Sequence, residues 1–165
     1  MMVNLIRIFF ILTALFAQTA FAQEARIIKL PELQRLLSDS SSRVHVVNFW
    51  ATWCLECRPE MPMFERLHHE FGAQGLSVVG INAREGATAV RVYAKELGLT
   101  FPLILDPRGT INAAYGVIGL PTTFLIGRDG RPVALTIGPR EWSGKPARAL
   151  IQALLAEPPA LKATR

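Results

Sequence analysis

Hydrophobic residues follow two kinds of pattern along this chain. Two nearly unbroken apolar runs, residues 44–50 and 76–81, are typical of β-strands that are buried on both faces. Elsewhere, apolar residues recur every three or four positions, which is the spacing of one face of a helix. The clearest of these stripes contains Phe64, Leu67 and Phe71. The pattern therefore predicts buried strands that alternate with amphipathic helices.

The same reading extends over the rest of the chain. Further helices are predicted at 31–37, 87–97, 110–115 and 142–156, and further strands at 101–105, 122–126 and 133–137. Gly127-Arg128-Asp129-Gly130 separates the last two strands and predicts a β-hairpin. Strands that alternate with helices are expected to be parallel, whereas a hairpin adds antiparallel strands. The expected fold class is α/β, with a mixed central sheet and helices on both faces.

Composition indicates one globular domain. Half of the 165 residues are hydrophobic, which excludes a disordered chain. The net charge of +5 comes from scattered Lys and Arg without a basic run, so no nucleic-acid partner is expected. We expect a monomer.

The N-terminal segment has the features of a secretory signal peptide. An apolar run at 8–17 is followed by Ala20-Phe21-Ala22, which fits the small-x-small cleavage rule. The run is shorter than the roughly 20 residues that cross a bilayer. We expect a cleaved signal at 1–22, a folded domain at 23–157 and a loose tail at 158–165. The mature chain would then work in the periplasm or another extracytoplasmic space, or on the membrane if the segment is not cleaved.

Cys54 and Cys57 are the only cysteines, and they lie where the strand at 44–50 runs into a helical pattern that starts at Cys57. This junction places Cys54 at a helix N-terminus, where free N–H groups and the helix dipole stabilise a thiolate. Cys54 is therefore the expected nucleophile, exposed and with a lowered pKa, and Cys57 is the expected buried resolving thiol. The pair predicts thiol–disulfide exchange through a redox-active disulfide, without a further cofactor.

Metal binding is the alternative use of this cysteine pair. A structural zinc ion needs four ligands, and the three histidines show no matching spacing, so no metal is expected. A Cu(I) metallochaperone that uses the same cysteines stays open, because soft sulfur ligands suit Cu(I) and Met61 and Met63 lie nearby. Methionine is more often a filler of hydrophobic cores.

Two motifs in this chain resemble those of the thioredoxin superfamily, and within it the TlpA/ResA/CcmG branch of extracytoplasmic thiol–disulfide reductases. The first is Asn48-Phe49-Trp50-Ala51-Thr52-Trp53-Cys54-x-x-Cys57-Arg58-x-Glu60-Met61-Pro62, and the second is Gly119-Leu120-Pro121-Thr122-Thr123-Phe124-Leu125-Ile126. Both stand in the order and separation of that branch, and the resemblance covers about residues 44–156. It implies a thioredoxin fold and the reduction of protein disulfides, with apocytochrome c as the substrate class. It also implies re-reduction by a thiol–disulfide electron donor in the membrane.

Glu60 is the candidate acid–base group. It shares a helix face with Cys57 and interrupts an apolar stripe, where loss of solvation raises the pKa of a carboxyl. A carboxyl about one turn from Cys57 can take protons from the thiols and return them. The resemblance also implies an active-site glutamate at this position. The alternative is an exposed Glu60 paired with Arg58 or Arg66.

Five further residues are expected to tune the site or bind substrate. Glu56 puts a negative charge beside the sulfurs, which opposes thiolate formation and favours the role of reductant. Asn48 stands where thioredoxin has a buried aspartate, and it either tunes the site or ties strand to helix. Trp53 is expected to shape the docking surface. The resemblance implies a cis Leu120–Pro121 bond, which would present a backbone edge to an extended substrate peptide.

Two other redox activities are weighed against reduction. A disulfide-forming oxidant of the DsbA type uses the same residues, but it usually carries a helical insertion between the two motifs, whereas residues 86–98 of this chain are predicted to form one single helix. A peroxidase is disfavoured, because the peroxidatic cysteine of such relatives does not belong to a Cys-x-x-Cys pair.

Overall fold

The computed structural model describes residues 27–28, 30–39 and 41–157. The predicted signal peptide at 1–22 and the predicted tail at 158–165 lie outside the described residues. Within the described ranges, no helix is long and apolar enough to cross a membrane.

The order of elements matches the predicted alternation of strands and helices. In chain order they are β1 (Ile27–Ile28), α1 (Leu30–Leu37), β2 (Val44–Trp50), α2 (Glu60–Phe71), a 3₁₀ helix (Gly72–Gln74), β3 (Leu76–Ala83), α3 (Ala87–Glu96), β4 (Leu103–Asp106), α4 (Thr110–Ala114), β5 (Thr122–Ile126), β6 (Pro132–Ile137) and α5 (Lys145–Ala156). The two-residue strand β1 was not predicted, because two isoleucines are too short a pattern to indicate a strand.

The six strands form one mixed sheet in the order β1-β4-β3-β2-β5-β6. The first four are parallel where they pair, and β5 and β6 are antiparallel to their neighbours. All seven residues of β2 are buried, as its continuous apolar run requires for a strand inside a sheet that is covered on both faces. The predicted mixed sheet and the predicted hairpin are confirmed.

Apolar side chains cover both faces of the sheet. On one face, residues of α2, α3 and α5 pack around Trp50 and Phe101. On the other face, Leu33 of α1 and Ile111 of α4 pack around Phe49. The helices therefore lie on both faces, as predicted.

Four loops meet at one edge of the sheet. Because β2, β3 and β4 are parallel, the loops that follow Trp50, Ala83 and Asp106 leave at the same edge. Because β5 is antiparallel to β2, the loop that precedes Thr122 enters at this edge too. The carboxyl ends of parallel strands are the usual place for functional groups in such sheets.

The last helix begins at Lys145, three residues later than the predicted start at Trp142. Gly144 is extended, with φ −70° and ψ 160°, and Pro146 lies in the first turn, where its missing N–H does no harm. Trp142 stays outside the helix, and its side chain has a different role, described below.

Candidate active site

Cys54 and Cys57 form a disulfide in the loop after β2, and their Cα atoms are 5.3 Å apart. Successive tight turns build this loop, because Cys57 N donates to Cys54 O at 3.1 Å and Glu60 N donates to Cys57 O at 3.1 Å. The prediction that the helix starts at Cys57 was wrong, since α2 starts at Glu60. Pro59 and Pro62 have no N–H with which to continue a helical bond pattern back through the cysteines.

The two sulfurs differ in their access to solvent. Cys57 is 0% exposed, as predicted for a resolving thiol, and Cys54 is 7% exposed. The prediction of an exposed Cys54 was wrong, because its side chain is tied to the buried Cys57 and lies in the wall of a cleft. Cys54 is still the only residue of the pair with any exposed surface.

A backbone amide lies against the sulfur of Cys54. Cys57 N donates to Cys54 Sγ over 3.2 Å. Such a donor stabilises the negative charge that Cys54 carries once the disulfide is reduced. The stabilisation expected from a helix N-terminus therefore comes from the turn between the cysteines.

A cleft of about 650 Å³ opens beside the disulfide. Its lining is mainly apolar. It comes from the loop after β2, the end of β3 with the residue that follows it, α4 and the loop before β5, namely Trp53, Cys54, Leu55, Glu56, Ala83, Arg84, Asn112, Val117, Ile118, Gly119 and Leu120. Trp53, Leu55 and Ile118 are the most exposed large apolar side chains of the rim. Glu56 and Arg84 add one charge of each sign.

The loop before β5 brings Leu120 into the cleft wall, and Pro121 lies buried behind it. The Leu120–Pro121 peptide bond is cis, as the resemblance implied. Trp53 and Leu120 thus face the same cleft as Cys54. Their roles in binding substrate stay predictions.

Glu60 is buried, with 1% of its surface exposed. Burial raises the pKa of its carboxyl, although the N–H groups of Arg140 and Trp142 and the charge of Arg140 act in the opposite direction. Oε1 accepts from Arg140 N at 2.8 Å and from Trp142 Nε1 at 2.7 Å. Oε2 is buried and has no hydrogen-bond partner among the described residues. The predicted rise in pKa thus has its expected cause, and one carboxyl oxygen is left to carry a proton.

The alternative pairing of Glu60 with an arginine was wrong. Arg58 pairs with Glu96, and Arg66 donates to Ser143 Oγ over 3.1 Å. Both arginines are exposed, whereas Glu60 is buried on the core side of α2. The face of α2 that carries Glu60 therefore faces away from them.

Asn48 is buried in the middle of β2 and points to the neighbouring strand. Its Nδ2 donates to Thr123 Oγ1 over 3.0 Å, and its Oδ1 has no partner within the described part of the chain. The alternative in which Asn48 ties strand to helix was wrong, because β5 lies beside β2 at this register. Asn48 ties the cysteine strand to the strand that follows Pro121.

Two residues near the site were missed from the sequence. Glu85, in the loop after β3, accepts hydrogen bonds from Thr52 N and Asn82 Nδ2, each at 2.7 Å, and a third from Thr52 Oγ1. Its position directly after a buried parallel strand is the signal that could have indicated it. Trp142, which precedes α5, is the second: its indole packs 5.3 Å from Phe64, and its Nε1 donates to Glu60 Oε1. No pattern in the sequence indicates that contact.

Across the described ranges, no group of three or more His, Cys, Asp or Glu side chains could hold a metal ion. Met61 is fully buried in the core, and Met63 packs against it. Both methionines therefore fill the core.

The mixed sheet, the cis-proline loop and the disulfide at the shared edge define a protein of the thioredoxin-like class. The sequence pattern of the AhpC/TSA family matches residues 21–133, more than half of the chain. The chain belongs to the AhpC/TSA family.

Individual relatives agree with this assignment. The chain is 38% identical over 102 residues to the thiol-disulfide oxidoreductase ResA of Bacillus subtilis (strain 168), a match that covers 62% of this chain and 57% of that protein. A Chlorobium tepidum protein, provisionally assigned as the thiol:disulfide interchange protein DsbE, has a TM-score of 0.67 at 31% identity, covering 73% of this chain and 85% of that chain. StoA from Bacillus subtilis has a TM-score of 0.57 at 27% identity, covering 67% and 81%. The predicted resemblance to the thioredoxin superfamily and its ResA-like branch is confirmed.

The match to the curated relatives is partial in length. The chain spans between 56% and 59% of the first curated ResA proteins that it matches.

Proposed function

We propose that this protein is a thiol–disulfide oxidoreductase that reduces disulfides in protein substrates outside the cytoplasm. One observation carries the proposal: a disulfide with one sulfur at an apolar cleft and the other sulfur buried. Thiol–disulfide exchange needs this division, because one thiol attacks the substrate while the other waits to resolve the mixed disulfide.

The reaction begins with the reduced protein. The Cys54 thiolate attacks one sulfur of the substrate disulfide, a Cys54–substrate bond forms, and the substrate's other sulfur leaves as a thiolate that takes up a proton. Cys57 then loses its proton and attacks Cys54 Sγ, which releases the second substrate sulfur as a thiolate that takes up a proton. Two electrons pass to the substrate, and the Cys54–Cys57 disulfide is formed.

Glu60 is the proposed acceptor for the proton that Cys57 loses. Its backbone N–H donates to the carbonyl oxygen of Cys57, so the side chain of Glu60 leaves the backbone one turn after the resolving thiol. Burial raises its pKa, and Oε2 is not used by any other hydrogen bond within the described residues. A carboxyl in this state can take up a proton and return it to the departing Cys57 thiolate in the reverse reaction.

The substrate is proposed to bind in the cleft as an extended peptide. Trp53, Leu120 and Pro121 are the proposed contact residues, with apolar side chains of the substrate against the rim and its backbone against the loop before β5. The resemblance of the two motifs supports apocytochrome c as the substrate class and cytochrome c maturation as the pathway. A membrane-bound dithiol would then return two electrons to the oxidised protein.

The direction of electron flow is proposed to be reductive. Glu56 is exposed beside Cys54, where its charge opposes the thiolate and makes the dithiol a better electron donor. The one helix between β3 and β4 is α3, so the described residues hold no helical insertion like that of a DsbA-type oxidant. Asn48 is proposed to tune the site by holding β2 to β5 beneath it.

Export is part of the proposal. A signal at 1–22 would be removed, which leaves the domain at 23–157 and a short tail. Determining the N-terminal residue and the cell fraction of the protein from its native host tests this. A mature chain that begins near Gln23 in the extracytoplasmic fraction is the expected result, and an uncleaved cytoplasmic chain contradicts it.

Trapping tests the function itself. Cys57→Ser should hold protein substrates in stable mixed disulfides with Cys54, because nothing resolves them. Cys54→Ser is the matched control and should trap none. The reduction potential of the Cys54–Cys57 pair in the wild-type protein, measured by equilibration with glutathione, should be lower than that of glutathione. Failure of Cys57→Ser to trap any protein, with Cys54 shown to react with a small disulfide, would reject a protein-disulfide reductase.

A further inference from the structure

We propose that Glu85 is a positioning residue that holds the turn carrying Cys54 in the geometry for attack. The inference rests on the proposed function, since it assigns a role in the same reaction. Glu85 belongs neither to the cysteine motif nor to the proline motif, and it reaches the site from the next strand of the sheet.

The contacts of Glu85 converge on one turn. Cys54 N donates to Ala51 O over 3.2 Å, so residues 51–54 form a turn in which Thr52 is the second member. Glu85 Oε2 accepts from Thr52 N at 2.7 Å, and Glu85 Oε1 accepts from Thr52 Oγ1. Both donors of Thr52 therefore bind one carboxylate, and the turn cannot shift without breaking two hydrogen bonds.

The carboxylate is itself held in place from the sheet. Asn82 Nδ2 donates to Glu85 Oε2 over 2.7 Å, and Asn82 is fully buried in β3 opposite Trp50 of β2. Thr52 follows Trp50 by two residues. Glu85 thus joins the ends of β2 and β3 at the point where the cysteine turn begins.

The backbone before Glu85 has an unusual conformation. Arg84 has a φ of 62°, the one positive φ of a non-glycine residue in the described part of the chain. A left-handed conformation costs a residue with a Cβ about 1 kcal/mol or more, and such residues gather at functional sites. Arg84 N donates to Asp106 O over 3.0 Å, which fixes this bend at the end of β4. The bend sends the chain from β3 toward Thr52.

Position matters here because the attack is directional. The sulfur of Cys54 must approach a substrate sulfur along the axis of the bond that breaks, and a displacement of about 1 Å from such a geometry can cost roughly a hundredfold in rate. Loss of the two hydrogen bonds that hold the turn at Thr52 is a milder change than such a displacement. We expect the rate to fall about tenfold.

The chain contains a matched control. Glu65 binds Thr100 by the same pattern, with Thr100 N on Oε2 at 2.7 Å and Thr100 Oγ1 on Oε1. Thr100 precedes β4, so this pair lies at the opposite edge of the sheet from the cysteines. Glu65→Ala removes equivalent hydrogen bonds without touching the cysteine turn.

The experiment measures how fast Cys54 attacks a small aromatic disulfide, across a range of pH and in the Cys57→Ser background. Glu85→Ala should slow the attack about tenfold at every pH, while Glu65→Ala stays within twofold of the parent. Glu85→Gln keeps an oxygen for Thr52 N and an amide that can donate to Thr52 Oγ1, so it should restore most of the rate. Thr52→Ser keeps both donors and should behave like the parent, provided that circular dichroism shows all variants folded.

Each outcome decides the question. Equal slowing by Glu85→Ala and Glu65→Ala would make the effect a general loss of stability and overturn the proposal. A Glu85→Gln variant as slow as Glu85→Ala would assign the effect to charge and overturn it as well. Because the probe is a small disulfide, the result is readable even if the protein proves to reduce no protein substrate.

Discussion

Trp142 Nε1 donates a 2.7 Å hydrogen bond to Oε1 of Glu60, a residue 82 positions earlier in the chain. The same oxygen also accepts Arg140 N, so the segment before α5 supplies both donors that reach this buried carboxyl. These bonds favour the ionised form of Glu60, and burial opposes it more strongly. A segment outside the cysteine motif thus limits how far burial raises the pKa of the proposed proton acceptor.

Replacing the indole tests this relationship. Trp142→Phe keeps an aromatic ring against Phe64 and removes the N–H donor. The pKa of Glu60 should rise further, and the free energy of unfolding should fall by about 1–3 kcal/mol, the usual cost of a lost partner for a buried polar group. The carboxyl ¹³C shift of Glu60, followed by NMR against pH, measures the first effect, and urea unfolding measures the second. If the titration midpoint of Glu60 is unchanged in Trp142→Phe, the indole N–H does not lower the pKa of Glu60 and the prediction is wrong.

Glu60 should also make the stability of the protein depend on pH. Its pKa in the folded state is raised above the ordinary value of 4.5, so the unfolded chain releases the proton first as pH increases. The free energy of unfolding should therefore fall as pH rises from about 4.5 through the raised pKa, and the favourable contribution is complete below 4.5. Glu60→Gln cannot titrate, so this fall should vanish in a urea titration at a series of pH values. Glu157→Gln, at an exposed position, should keep it.

The rim of the cleft should govern substrate affinity without affecting stability. Ile118 is 87% exposed, so Ile118→Ala loses little in the free protein, but the missing side chain can no longer be buried by a bound peptide. KM for a protein disulfide should rise about fivefold, equivalent to roughly 1 kcal/mol of lost apolar burial. Val92→Ala, at a 64% exposed position on α3 outside the cleft lining, is the control. If the two substitutions change KM equally, the rim does not belong to the substrate-binding surface.

Gly80 is expected to tolerate no side chain. A Cβ at this position of β3 would lie 2.8 Å from both Leu103 Cδ2 and Trp50 Nε1. Gly80→Ala should therefore destabilise the protein by about 1–3 kcal/mol, the usual cost of overpacking a core. Gly72→Ala meets no atom within 4 Å and has a helical φ of −54°, so it should leave the melting temperature unchanged or raise it. A melting curve of each variant decides.

The sequence predicted the parts of the fold that depend on local pattern. Strand β5 was predicted at its observed bounds, and β2 likewise, because a continuous apolar run and a flanking turn define each of them. The start of α2 was placed three residues early, since the periodicity of apolar residues continues through Pro59 although the hydrogen bonds do not. Local patterns thus locate elements better than they locate their ends.

The site was only partly predictable for a related reason. Cys54, Cys57 and Glu60 were found because they lie close together in the sequence and share one helical spacing. Glu85 and Trp142 reach the site only through the pairing of β2 with β3 and the packing of the segment before α5, and the periodicity of apolar residues indicates neither contact. The accessibility of Cys54 was misjudged for the same reason, since Cys54 lies in the wall of a cleft to which the other motif contributes Leu120.

Because β2 lies inside the sheet, the active site depends on segments that lie on both sides of the cysteine strand. Its neighbours β3 and β5 supply Glu85 from one side and the Pro121 loop from the other, and both follow it in the sequence. A fragment that ends before Val117 would still contain both cysteines, yet it would lack the proline loop, strands β5 and β6 and both donors to Glu60. The active centre is therefore not a portable loop, and grafting the cysteine segment onto another scaffold would transfer its sulfurs without the surroundings that govern them.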